Sequence, residues 1–346
     1  MTTKSNARNI GIAACIVLAG TSLLPAAEVS PELIVRAKQE GQLTYYTDLI
    51  VDQIVRPLAA AFEAKYAIKV SFARADSQVN IIKLLNEHKA GRVMSDVFGL
   101  TSGLQVLIDA GVVRQFTTAN GDELPPQYRD PDRYWVSSHR FVLTPGVNTS
   151  FVPAAQRPKT YDDLLAPYWK DKIIWKQNDL SGGPGFIGNV LISMGEARGM
   201  DYLRKLSRQN IKMVNASARA ILDQVIAGEH PLALQIFNHH AAISAEKGAP
   251  VDWLRLSPVT VTPGLVGLTR GSAHPNAGLL FVEFMTSKDG QQIFQKANYL
   301  PVRPDVPPLT PELIPERGGF AATVLTPALT DKAIDRWDDI FKQLFR

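Results

Sequence analysis

The 346 residues predict an α/β fold of about two domains, and three observations carry that expectation. Short β-branched and aromatic runs alternate with stretches of helical apolar spacing along most of the chain. The length exceeds one ordinary core, and 45% hydrophobic residues is ample for two. Glycines punctuate the pattern where helices should stop, at Gly41, Gly91, Gly111 and Gly248.

The N-terminus stands apart from this pattern. Lys4 and Arg8 precede an apolar run from Ile10 to Leu24 that ends in Pro25, Ala26 and Ala27. Residues 1–27 therefore read as a secretory signal peptide, too short and wrongly flanked for a spanning helix. Cys15 is the single cysteine and lies inside it, so the mature chain is expected to use neither disulfides nor thiol chemistry. Without Lys4 and Arg8, 35 basic residues face 33 acidic ones, a net charge of +2. Such a balance gives no reason to expect nucleic acid or a membrane surface as partner.

From Pro31 to Glu40 an amphipathic helix is expected, with Ser30 as N-cap and Gly41 as stop. Gln42–Thr47 reads as a strand with Asp48 at its end, Val51–Tyr66 as a helix and Ile68–Phe72 as a strand, a parallel βαβ unit. The pattern repeats with a helix over Val79–His88 and a strand over Asp96–Leu100. Thr101, Ser102 and Gly103 then open a helix, where hydroxyls can cap the helix or touch a ligand. Thr117–Arg133 is polar and proline-rich and reads as a surface loop. Tyr134–Val147 resumes a strand in which His139 and Arg140 each read as part of a solvated face.

A helix over Tyr161–Trp169 and a strand over Lys172–Lys176 lead to LSGGPGFIG. Ser181, Gly182 and Gly183 before a helix would present several backbone N–H groups to a carboxylate or phosphate. The run lacks both the GK[ST] ending and GxGxxG spacing, so it does not point to a nucleotide. Helices follow over Asp201–Gln209 and Ser217–Ala227, and Asn215, Ser217 and Arg219 gather at the start of the second, a set that can hold an anion or simply cap a helix. Leu232–Phe237 reads as a buried strand that passes at Asn238, His239 and His240 into a helix of small residues. Val259–Leu268 reads as a pair of strands broken at Pro263 and Gly264. Helices starting at Pro275 and Lys288, a turn at Tyr299–Arg303 and an amphipathic closing helix within Thr330–Phe345 complete the order.

Several of these pieces in this order resemble the periplasmic solute-binding proteins of ABC importers, in the subgroup that includes the ferric-ion binders. They are EGQLTYYT, SDVFGL, the SGG turn, AILDQVIAGEHPLAL, NHHAAISAEKG and AHPNAGLLFVEFMTSKDGQQIF, spanning about Glu40 to Val302. The resemblance implies a two-lobed type 2 periplasmic binding protein fold with crossing hinge strands. It assigns residues 28–140 and 265–300 to the N-terminal lobe and 141–264 and 301–346 to the C-terminal lobe. It implies a monomeric, periplasmic, non-enzymatic protein that closes on a small-molecule solute and docks on an ABC permease in the inner membrane.

Ferric members of that group hold iron with two adjacent tyrosines, a histidine and an acid. Here His239 and His240 stand at the tyrosine positions, Thr101 at the acid, and Thr47 and Asp48 in the first-strand region that carries no histidine. Fe(III) favours anionic oxygen donors, so bare ferric iron is not the expected cargo. The resemblance instead retains the anion seat at Ser181, Gly182 and Gly183 and the asparagine at Asn238. With Arg219 and Arg140 added, the expected solute is a small organic anion, and the alternative is a metal ion or metal–anion complex on His239 and His240. A hydrolase built from Ser181, His239 and Asp48 finds no supporting GxSxG or HExxH motif. A sensor subunit reporting to a membrane kinase shares every feature read so far.

Overall fold

The structure is a computed structural model that describes residues 29–177, 182–330 and 332–345. The expected signal peptide and Ser181 lie outside the described residues.

Eleven strands form the sheet among these residues. In chain order they are β1 (Gln42–Thr47), β2 (Lys69–Arg74), β3 (Val97–Leu100), β4 (Val113–Arg114) and β5 (Val136–Asn148). They continue with β6 (Ile173–Lys176), β7 (Lys212–Val214), β8 (Leu232–Phe237), β9 (Val251–Trp253), β10 (Val259–Thr269) and β11 (Ala322–Val324). Hydrogen bonding orders them β2-β1-β3-β10-β5-β8-β6-β7, with β4 and β11 added to β10 and β9 to β5. β1 runs parallel to β2 and β3, as a right-handed βαβ crossover requires, and β6 runs parallel to β7 and β8. Between these parallel groups β5 and β10 pair antiparallel. They are 13 and 11 residues long and buried at every position, which suits strands covered on both faces.

Local sequence explains the first unit. Ser30 Oγ accepts from the Leu33 N–H and Gly41 takes a left-handed φ of 70°, capping the helix Pro31–Glu40 at both ends. Val51–Val55 is a π-helical turn that leads into the α-helix Arg56–Tyr66, and Ile54, Val55, Leu58 and Phe62 face the core as their spacing predicts.

Four expectations give way in the structure. Tyr161–Trp169 forms two 3₁₀ turns, Asp162–Leu165 and Pro167–Trp169, because Pro167 cannot donate inside an α-helix. Pro263 and Gly264 do not divide β10. Pro263 sits opposite Arg140 within the ladder and a bulge between Gly264 and Leu265 absorbs the irregularity. The 117–133 loop is pinned rather than free: the N–H groups of Ala119 and Asn120 donate to the buried Glu283 carboxylate at 2.5 and 3.0 Å. Finally, His139 and Arg140 are only 3% and 5% exposed, so neither belongs to a solvated face.

The C-terminal helix Ile334–Leu344 packs on Gly183–Met194 through Trp337 and Phe341, which join Trp175 and Phe186 in one apolar cluster. A second cluster fills the space around Phe98, Leu104 and Leu107. The largest runs from Phe62 and Phe281 through Phe141 and Val261, continuous across the two long strands.

Candidate functional site

Carboxyl ends of parallel strands and the helix starts that follow them collect nearly every residue singled out in the sequence. On one side stand Thr47 and Asp48 after β1, and Thr101 and Ser102 after β3. Asp48 Oδ2 accepts from Ser77 Oγ at 2.6 Å and from Thr101 Oγ1 at 2.7 Å, while the Thr101 N–H donates to Ser77 Oγ at 3.0 Å. One carboxylate thus ties together the turns that follow β1, β2 and β3. Burial nevertheless pushes the Asp48 carboxyl above its ordinary range, against those donors. Thr47 is fully buried and its Oγ1 accepts from the Leu49 N–H, which fixes the turn that carries Asp48. Ser77 was not legible as a partner because it comes from a third strand end, 29 residues beyond Asp48. Ser102 lies nearby in a groove with Thr101, Pro263, Pro327 and Thr330.

On the other side, Asn238, His239 and His240 open the helix Asn238–Glu246 directly after β8. Asn238 Nδ2 donates to the Leu313 carbonyl at 2.7 Å, so the asparagine anchors this turn to the 311–318 segment. The two imidazole centroids are 4.3 Å apart and tilted by 56°. They diverge in their surroundings. His239 is 1% exposed and joins His139, Phe141, Phe237 and Tyr299 in an aromatic cluster, stacked near Phe141 at 6.0 Å. His240 is half-buried and feels the charges of Arg219 and Asp223.

Both histidines are held neutral at pH 7. Burial, then the neighbouring His240 and His139, hold His239 well below its ordinary value. Burial and the Arg219 charge lower His240 to about 4. Before a ligand arrives, each ring therefore offers one N–H donor and one N acceptor. Both ring nitrogens of His239, Nδ1 of His240 and Oδ1 of Asn238 are buried without a partner among the described residues. Such a concentration of unpaired buried polar atoms is costly, at about 1–3 kcal/mol each, and marks a place where a ligand or water completes the network.

The cations are less available than sequence suggested. Arg140 donates through Nη1 to Tyr128 OH at 3.0 Å and to Glu316 at 2.7 Å, a pair in which the arginine is 5% exposed. Its charge is balanced inside the fold and it does not join the other candidates. Arg219 is 44% exposed, pairs with Asp223 one turn along its helix, and donates to Ser244 Oγ at 3.0 Å. Ser217 caps the same helix by accepting from the Ala220 N–H, and Asn215 follows β7 at its base.

Gly182 and Gly183 are buried at the start of the helix Gly183–Met194. A Cβ on Gly183 would meet Phe341 at 2.2 Å, so close helix packing is one reason for the glycine, whatever the turn also seats. Among the described residues no group of three or more His, Cys, Asp or Glu side chains is placed to hold a metal ion. No helix of the described residues is long and apolar enough to cross a membrane.

Comparison with known proteins bears on the family and the fold. A profile of the family described as bacterial extracellular solute-binding protein matches residues 93–318. An uncharacterized protein of Haemophilus influenzae is 24% identical over 305 residues, covering 85% of this chain and 84% of the relative. Among solved structures, the Trichodesmium protein IdiA (FutA) in complex with iron and citrate superposes with a TM-score of 0.74 at 18% identity, over 88% of this chain and 99% of that one. The periplasmic binding protein AfuA of Actinobacillus pleuropneumoniae, with fructose-6-phosphate bound, gives 0.71 at 21% identity, over 87% and 99%. At these identities the likeness speaks to the fold, which is the two-lobed α/β architecture of periplasmic binding proteins.

Proposed function

We propose, for a chain that belongs to the family of bacterial extracellular solute-binding proteins, that it captures a small organic anion between two lobes and delivers it to an ABC permease. The observation that carries this reading is the cluster of unpaired buried atoms on Asn238, His239 and His240 beside the Arg219 guanidinium. Arg219 supplies a positive charge at this wall that is partly open to solvent, and exchange of Asp223 for a ligand anion costs little at an exposed pair. Neutral imidazoles and the Asn238 amide oxygen then recognise hydroxyl or protonated groups on the same solute. Two structural relatives carry citrate with iron and fructose-6-phosphate, both hydroxylated anions.

In this reading Gly182 and Gly183, with Ser181, seat the acidic group at a helix N-terminus, and Asn215 and Ser217 border it. Thr47, Asp48, Thr101 and Ser102 form the facing wall. The lobes are taken as 28–140 with 265–300 and 141–264 with 301–346, and β5 and β10 are the hinge strands. The mature protein is taken to be a periplasmic monomer without catalytic activity.

Thermal shift on purified protein against citrate, fructose-6-phosphate and a panel of other carboxylates and phosphates tests the proposal. Saturable stabilisation by at least one anion is expected, and Arg219→Ala should weaken it about 10- to 100-fold, as loss of a charge-assisted hydrogen bond would. Absence of stabilisation by every carboxylate and phosphate sinks it. A metal–anion complex is the second reading, favoured by the short distance between the two imidazoles. Two imidazoles fill at most half of a tetrahedral set, so the anion would have to supply the rest. Metal content measured with and without the anion, and in His240→Ala, separates the two readings.

A further inference from the structure

We propose that the Arg140–Glu316 ion pair is a latch between the two lobes, which biases the protein toward its closed form before any solute arrives. It rests on the division into lobes proposed for this chain and on β5 as a hinge strand, and on no property of the solute.

Arg140 stands within β5, where its N–H donates to the Leu300 carbonyl at 2.9 Å and it sits opposite Pro263 of β10. Backbone pairing thus fixes where the side chain starts. The guanidinium then reaches both lobes through one nitrogen. Nη1 donates to Tyr128 OH at 3.0 Å, within residues 28–140, and to Glu316 Oε1 at 2.7 Å, within residues 301–346. Tyr128 is 2% exposed and its ring centroid lies 5.3 Å from the guanidinium carbon, so that half of the contact is set in the core.

Glu316 belongs with the other wall. It lies in the short helix Pro315–Gly318, between Leu313, whose carbonyl accepts from Asn238 Nδ2 at 2.7 Å, and β11, which pairs with Val259–Val261 of β10. Rotation of one lobe about β5 and β10 therefore draws Glu316 away from Tyr128.

Charge decides which arrangement gains. The Arg140 side chain is 5% exposed and its Nε is buried without a partner among the described residues, so Glu316 balances the guanidinium only while the lobes are closed. A buried cation that loses its carboxylate has to be hydrated again, which opposes opening. Glu316 is 53% exposed, so counterions compete for it and added salt weakens the latch.

The test measures lobe separation in the mature protein without ligand. Cys15 is the single cysteine and lies in the expected signal peptide, so Gln78→Cys and Gln177→Cys, exposed just after β2 and β6, carry a pair of spin labels free of background. Pulsed electron paramagnetic resonance is expected to show a main short distance and a minor longer one. In Glu316→Gln the ratio of long to short should rise at least about threefold, as loss of an ion pair with one exposed partner would give. Raising sodium chloride from about 0.05 to about 1 M should move the native protein the same way, and Glu316→Gln less. Glu196→Gln breaks a pair with Arg336 inside one lobe and should leave the distances unchanged. Equal distributions in the native protein and Glu316→Gln overturn the inference. So does a salt response of the same size in both, or a shift in Glu196→Gln equal to that in Glu316→Gln, which would assign the effect to general stability. No solute is present, so failure of the anion proposal is read separately, by thermal shift.

Discussion

Gly264 shows how one residue can be fixed by a partner far away in sequence. A Cβ there would lie 2.1 Å from Cε1 of His139, so the bare backbone makes room for the imidazole. Gly264→Ala is expected to cost about 1–3 kcal/mol by overpacking, measurable as a lower urea midpoint with an unchanged slope. His139 itself is lowered to about 3 by burial, and His240 to about 4. For a base whose folded value lies below its unfolded one, the unfolded chain binds more protons between the two values. Stability is therefore complete above about pH 6.5 and falls as pH drops toward 4. Denaturant unfolding from pH 7.5 to about 4.5 should show that slope, and His240→Gln should flatten part of it.

Among the elements, the contact between Gly183–Met194 and Ile334–Leu344 depends on two glycines. A Cβ on Gly188 would come within 2.6 Å of the Trp337 ring, just as one on Gly183 would strike Phe341. Gly188→Ala should then lose stability by about 1–3 kcal/mol despite the better helix propensity of alanine, because the clash outweighs a gain of at most about 1 kcal/mol. Circular dichroism melting of the variant checks the sign. A higher melting temperature would mean that Trp337 can move aside. The SGG turn was legible as a place of unusual backbone, but sequence spacing pointed only to a ligand. The aromatic residues that demand glycine at positions 183 and 188 come from about 150 residues further on, where no local pattern connects them.

For the whole molecule, the two buried hinge strands carry the functional expectation. A solute that touches both walls stabilises the closed arrangement by its differential affinity alone. Small-angle scattering should show a smaller radius of gyration once the anion that raises the melting temperature is added. An unchanged profile with saturated ligand would mean that capture proceeds without hinge closure. Parallel units and the family were readable beforehand, since alternation of strand and helix restricts the topologies and EGQLTYYT, SDVFGL and AHPNAGLLFVEF kept their order, whereas the order of strands in the sheet was not. The candidate walls were readable as strand ends followed by helix starts.

By itself the sequence determined the α/β class, the caps at Ser30, Gly41 and Ser217, and the placing of Asp48, Thr101 and Asn238–His240 at strand ends. Those depend on neighbours within a few residues, where spacing and side-chain chemistry act directly. Tertiary structure alone decided that Arg140 is paired with Glu316, that Ser77 joins Asp48 and Thr101, and that His239 and His240 are neutral and face different surroundings. Each of these depends on burial or on a partner contributed by a distant segment, and neither quantity exists until the chain has closed on itself.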